Sequence, residues 1–553
     1  MLHASSEFRR AGGAAAFEDQ ADSSLLGRHK ALLVTLLVAH GLLAWQLRAR
    51  GVFTFGDDAA YLLLSRSIKA LTYRELQFGG DPVAARFPPG YPAFLALVTA
   101  PAGERLGVIS VAGILTSIAG LAFLFDVVRR RWSTELAFLA TAATAVNPVL
   151  VTNAGSVTSE TLYTTLTLAS LWAADRAERA RGWRPPGARA AVAAGGLAIA
   201  AALTRSAGVT MVAALGVHWL QRRRYGWLVV FGTVATLTVG GWLAWTVVAP
   251  GREVRRSYVD DAVNVRMGDG SLQSTVVQRV ARNASIYAGQ AILTELSLPV
   301  TPRSRIDNVA WVVLLGSLLV AGLVSAWGRW NAVVWYVGAY VGLLAVWPYL
   351  LERFLDPLLP LFIPLVVVGA GVAGTLVSRK AAWLAPAVVT MTLVGFALGE
   401  DRRLVDRAAD CDRSRVDCAL PRSLDYLDAV AYIGAHSSPD ARVATPKAPT
   451  LYYHSKRQAI YWDEIITQHP DSFDGLLRRE RVSYILTTPV FSDHITLLRL
   501  ARHDCARLDL VRAFSPQTLL LAVRPDAAPP VSDGRACAAL DRAERLATMT
   551  DRG

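Results

Sequence analysis

The chain has 553 residues, of which 53% are hydrophobic, and its mean hydropathy is +0.33 although 18% of the residues are charged. A water-soluble globule of this size seldom stays so apolar, so the composition indicates a membrane protein with a polar part. The net charge of +13 comes from arginines grouped between apolar stretches. That pattern is typical of loops at a membrane surface and argues against nucleic acid as a partner.

Apolar stretches long enough to cross a bilayer of about 30 Å recur along the chain. The first follows a polar, Gly- and Ala-rich segment, 1–28, that is predicted to be disordered. No small-x-small cleavage site follows this first stretch, so we expect an uncleaved transmembrane helix. The fifth and sixth stretches are short and nearly contiguous, which leaves the count open by two. The eleven predicted spans are 31–49, 107–128, 133–151, 158–174, 189–203, 206–220, 226–249, 308–328, 331–350, 357–377 and 381–398.

The distribution of Lys and Arg predicts the orientation of these spans. With the N-terminus inside, the cytoplasmic loops hold 14 Lys and Arg residues, whereas the short outer loops hold only Arg205 and Arg353. Positive charge accumulates on the cytoplasmic side, so we expect the N-terminus on the cytoplasmic side of the cell membrane and the C-terminus on the outer side. The longer loops 50–106 and 250–307 and the segment 399–553 then all lie outside.

The segment 399–553 differs from the rest because strand and helix patterns alternate along it. Alternation of this kind predicts a small α/β domain with a partly parallel sheet. The segment has no glycine-rich phosphate loop, which argues against a nucleotide site. Strands are predicted at 441–446, 457–463, 482–489, 508–514 and 517–523, and helices at 421–436 and 471–481.

All four cysteines lie in this segment, at Cys411, Cys418, Cys505 and Cys537. One or two disulfides are therefore expected outside the membrane, where oxidation is favoured. Cys411 and Cys418 are the most local pair, and the sequence leaves the connectivity open.

Two adjacent carboxylates, Asp57 and Asp58, follow the first span in the stretch FTFGDDAAYLL. Residues 59–71 after them predict an amphipathic helix on the membrane surface, with Asp57 and Tyr61 on one face and Asp58 and Lys69 on another. Adjacent aspartates in a loop are usually only solvated. The predicted topology instead places this pair on the outer face, at the mouth of a helical bundle, where a catalytic base can act.

Three more polar stretches are predicted at the same membrane face. RFPPGYPAF, 86–94, predicts a stiff turn that directs the chain back into the bilayer. Glu160 lies at the start of the fourth span. The helix dipole stabilises an acidic side chain at that position, so Glu160 could also have a purely structural role. Arg205, Glu352 and Arg353 flank other spans, and a charge at the bilayer centre costs about 2.5–3.5 kcal/mol. These side chains are therefore expected at the interface, either as ordinary snorkelling residues or as a site for an anionic head group.

Four motifs in this order resemble the integral-membrane glycosyltransferases of the GT-C superfamily, which include protein O-mannosyltransferases and lipid A aminoarabinose transferases. The motifs are DDAAYL, PPGYP, SVTSETLY and ERFLDPLLP, within residues 30–378. The resemblance implies a polytopic α-helical membrane protein of GT-C type with about eleven transmembrane helices. Its predicted parts are a cytoplasmic segment (1–28), a transmembrane catalytic domain (29–398) and an extracytoplasmic α/β domain (399–553).

The resemblance also implies a reaction and its catalytic residues. A sugar is transferred, with inversion, from a polyprenyl-phosphate-linked donor to an extracytoplasmic lipid, glycan or protein acceptor. Asp57 is the implied base for the acceptor, and Asp58 is a less favoured base or an orienting residue. The family usually has Asp-Glu at this pair, so the carboxylates are kept while one side chain is shorter.

The donor phosphate is expected to bind to cationic side chains, because arginine stays charged and can hold phosphate with two hydrogen bonds. Arg205 and Arg353 are the first candidates, followed by Lys69 and Arg86. Glu160 is expected to position the acceptor or a cation. The residue after Arg353 is usually tyrosine in the family and is Phe354 here. Tyr61 and Tyr91 complete the predicted substrate contacts.

Two other functions fit the same pattern, and the need for a cofactor stays open. Members of the superfamily differ in their use of a divalent cation, and no His or Cys spacing decides the question here. A transporter or flippase for lipid-linked sugars, or a polymerase or ligase of surface polysaccharide, would also use many helices and interfacial charges. A carrier is expected to hold charged groups near the midplane, and the only one identified well inside a predicted helix is Asp126, near a cytoplasmic end.

Overall fold

The computed structural model describes most of the chain as a helical bundle followed by an α/β unit. The predicted disordered segment 1–28 and much of the predicted outer loop 250–307 lie outside the described residues. The described residues are 30–53, 57–179, 185–248, 276–299, 305–347, 350–413, 421–462, 465, 469–490, 494–524 and 534–550.

Sixteen helices precede the α/β unit in the described residues. Helix α10 contains a π-helical turn, and two short 3-10 turns, Glu352–Phe354 and Asp356–Leu358, lead into α15. The helices are α1 (Lys30–Gln46), α2 (Asp58–Lys69), α3 (Gly90–Ala102), α4 (Leu106–Arg131), α5 (Thr134–Ala145), α6 (Pro148–Ala154), α7 (Ser159–Arg179), α8 (Pro185–Thr204), α9 (Val209–Gln221), α10 (Tyr225–Val248), α11 (Val276–Ile286), α12 (Ile292–Glu295), α13 (Arg305–Ala326), α14 (Asn331–Val346), α15 (Leu359–Val377) and α16 (Ala381–Arg413).

The helices show a membrane protein, but they do not confirm eleven spans. Among the described residues, six helices are long and apolar enough to cross a bilayer, or seven if one bent pair is counted as a span. Every predicted span overlaps a helix, but several, such as α9 and α14, have fewer than the roughly 20 residues that a straight crossing needs. The number of crossings and their orientation therefore stay predictions.

Two predicted spans differ in shape from their helices. The third, 133–151, is bent by 68° between α5 and α6. Pro148 has no N–H to continue the first helix, and the Asn147 side chain caps the second by accepting a hydrogen bond from the Leu150 N–H. The eleventh was predicted to end at residue 398, whereas α16 continues to Arg413. This helix therefore crosses the predicted domain boundary.

Small residues allow two long helices of the bundle to pack closely. A Cβ atom added to Gly369 of α15 would lie 1.9 Å from the Leu318 carbonyl oxygen of α13. Only glycine permits this approach, as is common between helices in membranes, where close van der Waals packing stabilises association. The contact fixes α15 and therefore the 3-10 turns that lead into it.

Helix α2 confirms the helix predicted at 59–71 but not its position on the membrane surface. Residues Asp58–Ser65 are all buried on both faces of the helix. The helix packs against α3 on one side and against a helix of the α/β unit on another. The C-terminal unit thus covers a face that the sequence pattern assigned to the membrane surface.

The α/β unit has a five-stranded sheet, as the strand predictions indicated. Strand β1 pairs in parallel with β2 and β3, and β5 lies antiparallel between β3 and β4, in the order β2-β1-β3-β5-β4. The predicted partly parallel sheet is therefore confirmed. The strands are β1 (Arg442–Ala444), β2 (Gln458–Ala459), β3 (Val482–Leu486), β4 (Leu508–Ala513) and β5 (Leu519–Val523).

Helices cover both faces of this sheet, because side chains alternate along a strand. Leu519 and Leu521 pack with one set of helices, whereas Leu520 packs with the other. One face carries α19 (Pro470–Arg479), α20 (His494–His503) and α21 (Arg535–Thr550), and the opposite face carries α17 (Pro421–His436) and α18 (Ala448–Ser455).

A disulfide joins Cys505, just before β4, to Cys537 of α21. This bond agrees with the expectation of at least one disulfide in the segment. The more local pair could not be compared, because Cys418 lies outside the described residues.

Candidate functional site

Asp57 lies just before α2 and is held by cations from distant parts of the chain. Its Oδ2 atom is 2.6 Å from Nη2 of Arg353, and its Oδ1 atom is 3.8 Å from Nζ of Lys447. Burial raises the pKa of Asp57, but Arg353, Lys447 and Arg86 together outweigh burial and hold the pKa at about 2. The carboxylate is therefore ionised at neutral pH and 22% exposed, as a base open to an acceptor requires.

Asp58 is held by backbone hydrogen bonds and is also attracted by the charge of Lys447. Its side chain is almost fully buried, and its Oδ2 atom accepts a 2.6 Å hydrogen bond from the Phe53 N–H. Its Oδ1 atom accepts a second hydrogen bond, of 2.9 Å, from the Ala59 N–H. These bonds hold the turn that leads into α2. The geometry favours an orienting role for Asp58 and leaves Asp57 as the accessible carboxylate.

Glu160 and Arg205 form a second ion pair beside Asp57. Oε1 of Glu160 is 2.5 Å from Nη1 of Arg205, and both side chains are largely buried. A buried charge is costly without a partner, so each of these groups needs the other. Ser159 lies between them and Tyr61, because its hydroxyl is 3.3 Å from Arg205 and 3.1 Å from the Tyr61 hydroxyl.

The motif around Arg353 connects the two ion pairs. The Arg205 guanidinium lies over the ring of Phe354 with its carbon 5.9 Å from the ring centroid, a cation–π contact. Phe354 therefore has a packing role that does not need the hydroxyl of the usual tyrosine. Arg353 itself is attracted by Asp57 and Glu160 together. The structure thus brings Asp57, Glu160, Arg205 and Arg353 into one cluster.

The stretch RFPPGYPAF lies at the edge of this cluster. Arg86 is exposed and acts on Asp57 through its charge. Tyr91 is buried, and its ring centroid is 4.9 Å from that of Tyr61. A Cβ atom on Gly90 would lie 2.7 Å from the Leu203 carbonyl oxygen, so glycine lets α3 approach the end of α8 near Arg205.

Lys69 lies away from the cluster. Its ammonium donates a 3.2 Å hydrogen bond to the Thr99 hydroxyl at the opposite end of α2. Twelve residues of helix separate it from Asp57, roughly 18 Å at 1.5 Å per residue. The prediction that Lys69 binds the same phosphate as Arg353 is therefore not supported by its position.

Lys447 is the cluster residue that the sequence analysis missed. It follows β1, at the carboxyl edge of the parallel strands, where α/β sheets commonly place binding residues. The strand at 441–446 was predicted, so this rule was available as a signal. Its proximity to Asp57, in contrast, depends on how the α/β unit packs on the bundle.

A small cavity with a mostly apolar lining borders both Glu160 and a histidine inside the bundle. The cavity has a volume of about 30 Å³, and its lining includes Glu160, Asp356 and His40. Nδ1 of His40 lies 2.6 Å from the Ala145 carbonyl oxygen, and Nε2 lies 2.9 Å from the Ser117 hydroxyl. His40 is therefore a buried titratable group well inside α1, so Asp126 is not alone among such groups within the predicted spans.

The charges around Asp57 do not fit a divalent cation. Arg353 and Lys447 both lie against the carboxylate and would repel such an ion. Among the described residues, no three His, Cys, Asp or Glu side chains converge in a way that could hold a metal.

Comparison with known sequences gives a family match over part of the chain. Residues 86–249, less than a third of the chain, match the family model described as dolichyl-phosphate-mannose-protein mannosyltransferase. No curated protein sequence matches the chain significantly.

The fold is similar to that of solved transferases. ArnT from Cupriavidus metallidurans in the apo state matches with a TM-score of 0.57 and 15% identity, over 88% of this chain and 97% of that chain. The chain has the GT-C fold. The undecaprenyl phosphate complex of ArnT matches the chain with a TM-score of 0.55 and 15% identity, over 90% of this chain and 99% of that chain.

A third match is the archaeal oligosaccharyltransferase AglB from Archaeoglobus fulgidus, in complex with an inhibitory peptide and a dolichol-phosphate. Its TM-score is 0.50 at 13% identity, and the match covers 93% of this chain and 78% of that chain. The GT-C resemblance drawn from the motifs is thereby confirmed at the level of the fold.

Proposed function

We propose that the chain is an inverting glycosyltransferase that uses a polyprenyl-phosphate-linked sugar as donor. The observation that carries the proposal is the ionised Asp57 carboxylate held against Arg353 at the end of a GT-C bundle. ArnT with undecaprenyl phosphate and AglB with dolichol-phosphate, which share this fold, support a lipid phosphate as the ligand.

Asp57 accepts the proton from the acceptor nucleophile as that nucleophile attacks the anomeric carbon of the sugar. The bond between the anomeric carbon and the phosphate oxygen breaks on the opposite face, and the bonding electrons leave with the polyprenyl phosphate. The configuration at the anomeric carbon is inverted. A carboxylate whose pKa is about 2 is a weak base, so the proton moves late, when bond formation has made the nucleophile acidic.

Arg353 stabilises the charge that develops on the leaving phosphate, with Arg86 at the open edge of the cluster. Arg205 is held by Glu160, and the pair is placed to orient the sugar or the acceptor. The rings of Tyr61 and Tyr91 are buried and pack edge to face beside Ser159, so they support the site rather than offer a face to the sugar. The Lys and Arg distribution supports placing this chemistry on the extracytoplasmic side of the cell membrane.

The test is transfer by purified full-length protein in detergent, with a panel of labelled undecaprenyl-phosphate sugars and extracted envelope lipids, glycans and proteins as acceptors. Asp57→Asn keeps the shape of the side chain and removes the base. We expect the transfer rate to fall about 10²–10⁴-fold, the usual contribution of a general base.

Asp81→Asn is the matched control, because Asp81 is an exposed aspartate in the same predicted outer loop. We expect it to transfer at the wild-type rate. Undiminished transfer by Asp57→Asn, with unchanged thermal stability, would remove Asp57 as the base. Lipid and glycan profiling of a deletion strain would then identify the natural acceptor from the linkage that disappears.

A further inference from the structure

The loop that carries Lys447 is fixed by the same residues that fix the aspartate pair. The buried Tyr426 of α17 donates a 3.1 Å hydrogen bond to the Lys447 carbonyl oxygen. Its ring stacks on that of Phe53, with centroids 5.3 Å apart. The N–H of Phe53 in turn bonds to Asp58. A continuous series of contacts therefore connects the backbone of Lys447 to the turn that presents Asp57.

The backbone conformation of Phe53 also indicates that these contacts hold the turn in place. Its φ angle is 123°, in a region that a residue with a side chain rarely adopts. Such strain persists only where the surroundings enforce it, and it concentrates at functional sites. Here the enforcing contacts are the stack on Tyr426 and the hydrogen bond to Asp58.

The α/β unit is seated on the helical part by several further contacts. The Tyr453 hydroxyl donates a 2.9 Å hydrogen bond to Glu104, which is also paired with Arg66 at 2.7 Å. The Ala459 N–H donates to the Gln77 carbonyl oxygen at 2.9 Å. The first of these contacts lies at the C-terminal end of α2, and the second lies in the chain that follows it. They give Lys447 a defined position over Asp57, which a unit attached only by a linker could not provide.

We propose that Lys447, supplied by the C-terminal α/β unit, binds the donor phosphate together with Arg353, and that Asp57 holds the two cations in place until the donor arrives. The inference deepens the proposed function and rests on it. In the resting site, Lys447 lies 3.8 Å from Asp57, beyond hydrogen-bond distance, whereas Arg353 is bonded at 2.6 Å. The α/β unit is thus part of the donor site.

The charge balance of the cluster favours an incoming anion. Asp57 is attracted by Arg353 from the turn before α15, by Lys447 from the α/β unit and by Arg86 from the turn before α3. Asp58 also attracts Lys447. Glu160 and Arg205 also act on Arg353, so the cluster holds four cations and three carboxylates. The one positive charge left over is neutralised by a phosphodiester anion. When the phosphate binds Arg353 and Lys447, it screens Asp57 from the two positive charges that weaken Asp57 as a base. Donor binding then increases the proton affinity of Asp57.

The test compares Lys447→Met and Lys447→Arg with the wild-type protein, full length and in detergent. Undecaprenyl phosphate is the binding probe, followed by thermal shift, and the donor KM and kcat are measured separately. We expect Lys447→Met to weaken binding and raise KM roughly 10–100-fold, as for loss of a charge-assisted hydrogen bond. Lys447→Arg should restore most of the binding.

A pH profile separates a charge effect from a structural one. Removing a cation beside Asp57 raises its pKa, so the acidic limb of kcat/KM should move to higher pH in Lys447→Met and return in Lys447→Arg. Lys456→Met is the control, because Lys456 is an exposed lysine just after α18. It should change neither the profile nor KM.

The outcomes separate this inference from the proposed function. Wild-type protein that neither binds undecaprenyl phosphate nor transfers sugar contradicts the proposed function. Wild-type protein that does both, with Lys447→Met equal to it in affinity, KM and pH profile, contradicts the inference alone. Lys447→Gln, which keeps a polar side chain, is judged by the same three measurements if Lys447→Met does not fold.

Discussion

The two ends of the helical bundle both concentrate charge, but they hold it in different ways. At one end, Arg131 of α4 pairs with Asp175 and Glu178 of α7, and His218 and Arg222 at the end of α9 also contact Glu178. At the other end, Asp57 meets Arg353 and Lys447, and none of the three lies within a regular α-helix. The first group is called the Arg131 network here and the second the Asp57 site.

The difference indicates which group is structural and which can respond to a substrate. In the Arg131 network, side chains project from neighbouring helices, and Asp175 is completely enclosed. Its ion pairs therefore connect helices that already pack. In the Asp57 site, the charged groups come from a loop, a 3-10 turn and the edge of a sheet. Such segments present partly exposed side chains toward one point and can adjust when a ligand binds.

The largest effect on stability is expected from Asp175→Ala. This change leaves Arg131 and Arg179 without their buried partner, which costs about 3–5 kcal/mol of the free energy of unfolding. Thermal unfolding in detergent measures the loss, and the transfer rate per folded molecule should stay within about twofold.

Asp471→Ala is the control for this change, because Asp471 pairs with His469 on the surface and such pairs contribute about 0–1 kcal/mol. A melting temperature for Asp175→Ala equal to that of the control would mean that the Arg131 network does not hold the helices together.

Arg353→Ala is expected to show the opposite pattern. Its side chain is one-third exposed, so stability should change little, whereas affinity for undecaprenyl phosphate should fall roughly 10–100-fold. Arg353→Lys keeps the charge but loses the planar fork, so we expect an intermediate affinity. The assignment of Arg353 to the phosphate is wrong if affinity is unchanged in the alanine variant.

The smallest effect is expected from Lys69→Met. Lys69 shares α2 with Asp58 but bonds to Thr99 at its far end. Donor KM and transfer rate should therefore change by less than about twofold, because a charge roughly 18 Å away in water is largely screened. A tenfold rise in donor KM would extend the Asp57 site along the whole helix.

Several features of the fold could be predicted from the sequence because they depend on local pattern. The helix at 421–436 has the predicted bounds, and the strands after residue 440 lie within the predicted stretches. The break between α5 and α6 at Asn147–Pro148 could also be predicted from local sequence, since a proline after a capping residue ends one helix and begins another. The burial of the second face of α2 could not, because the helix that covers that face, α18, lies almost 400 residues later in the chain.

The amino-acid sequence by itself determined the apolar helices, the alternating strands and the motif order that indicated the GT-C fold. Helical hydrogen bonds join residues four apart and strand faces alternate every second residue, so both leave a local signal. Only the tertiary structure decided that Asp57 faces Arg353 and Lys447 while Asp58 is bonded to backbone. Those contacts arise from packing between segments that are distant in the chain. Asp57 and Asp58 are adjacent and have the same side chain, so only the groups that this packing places beside each of them make them different.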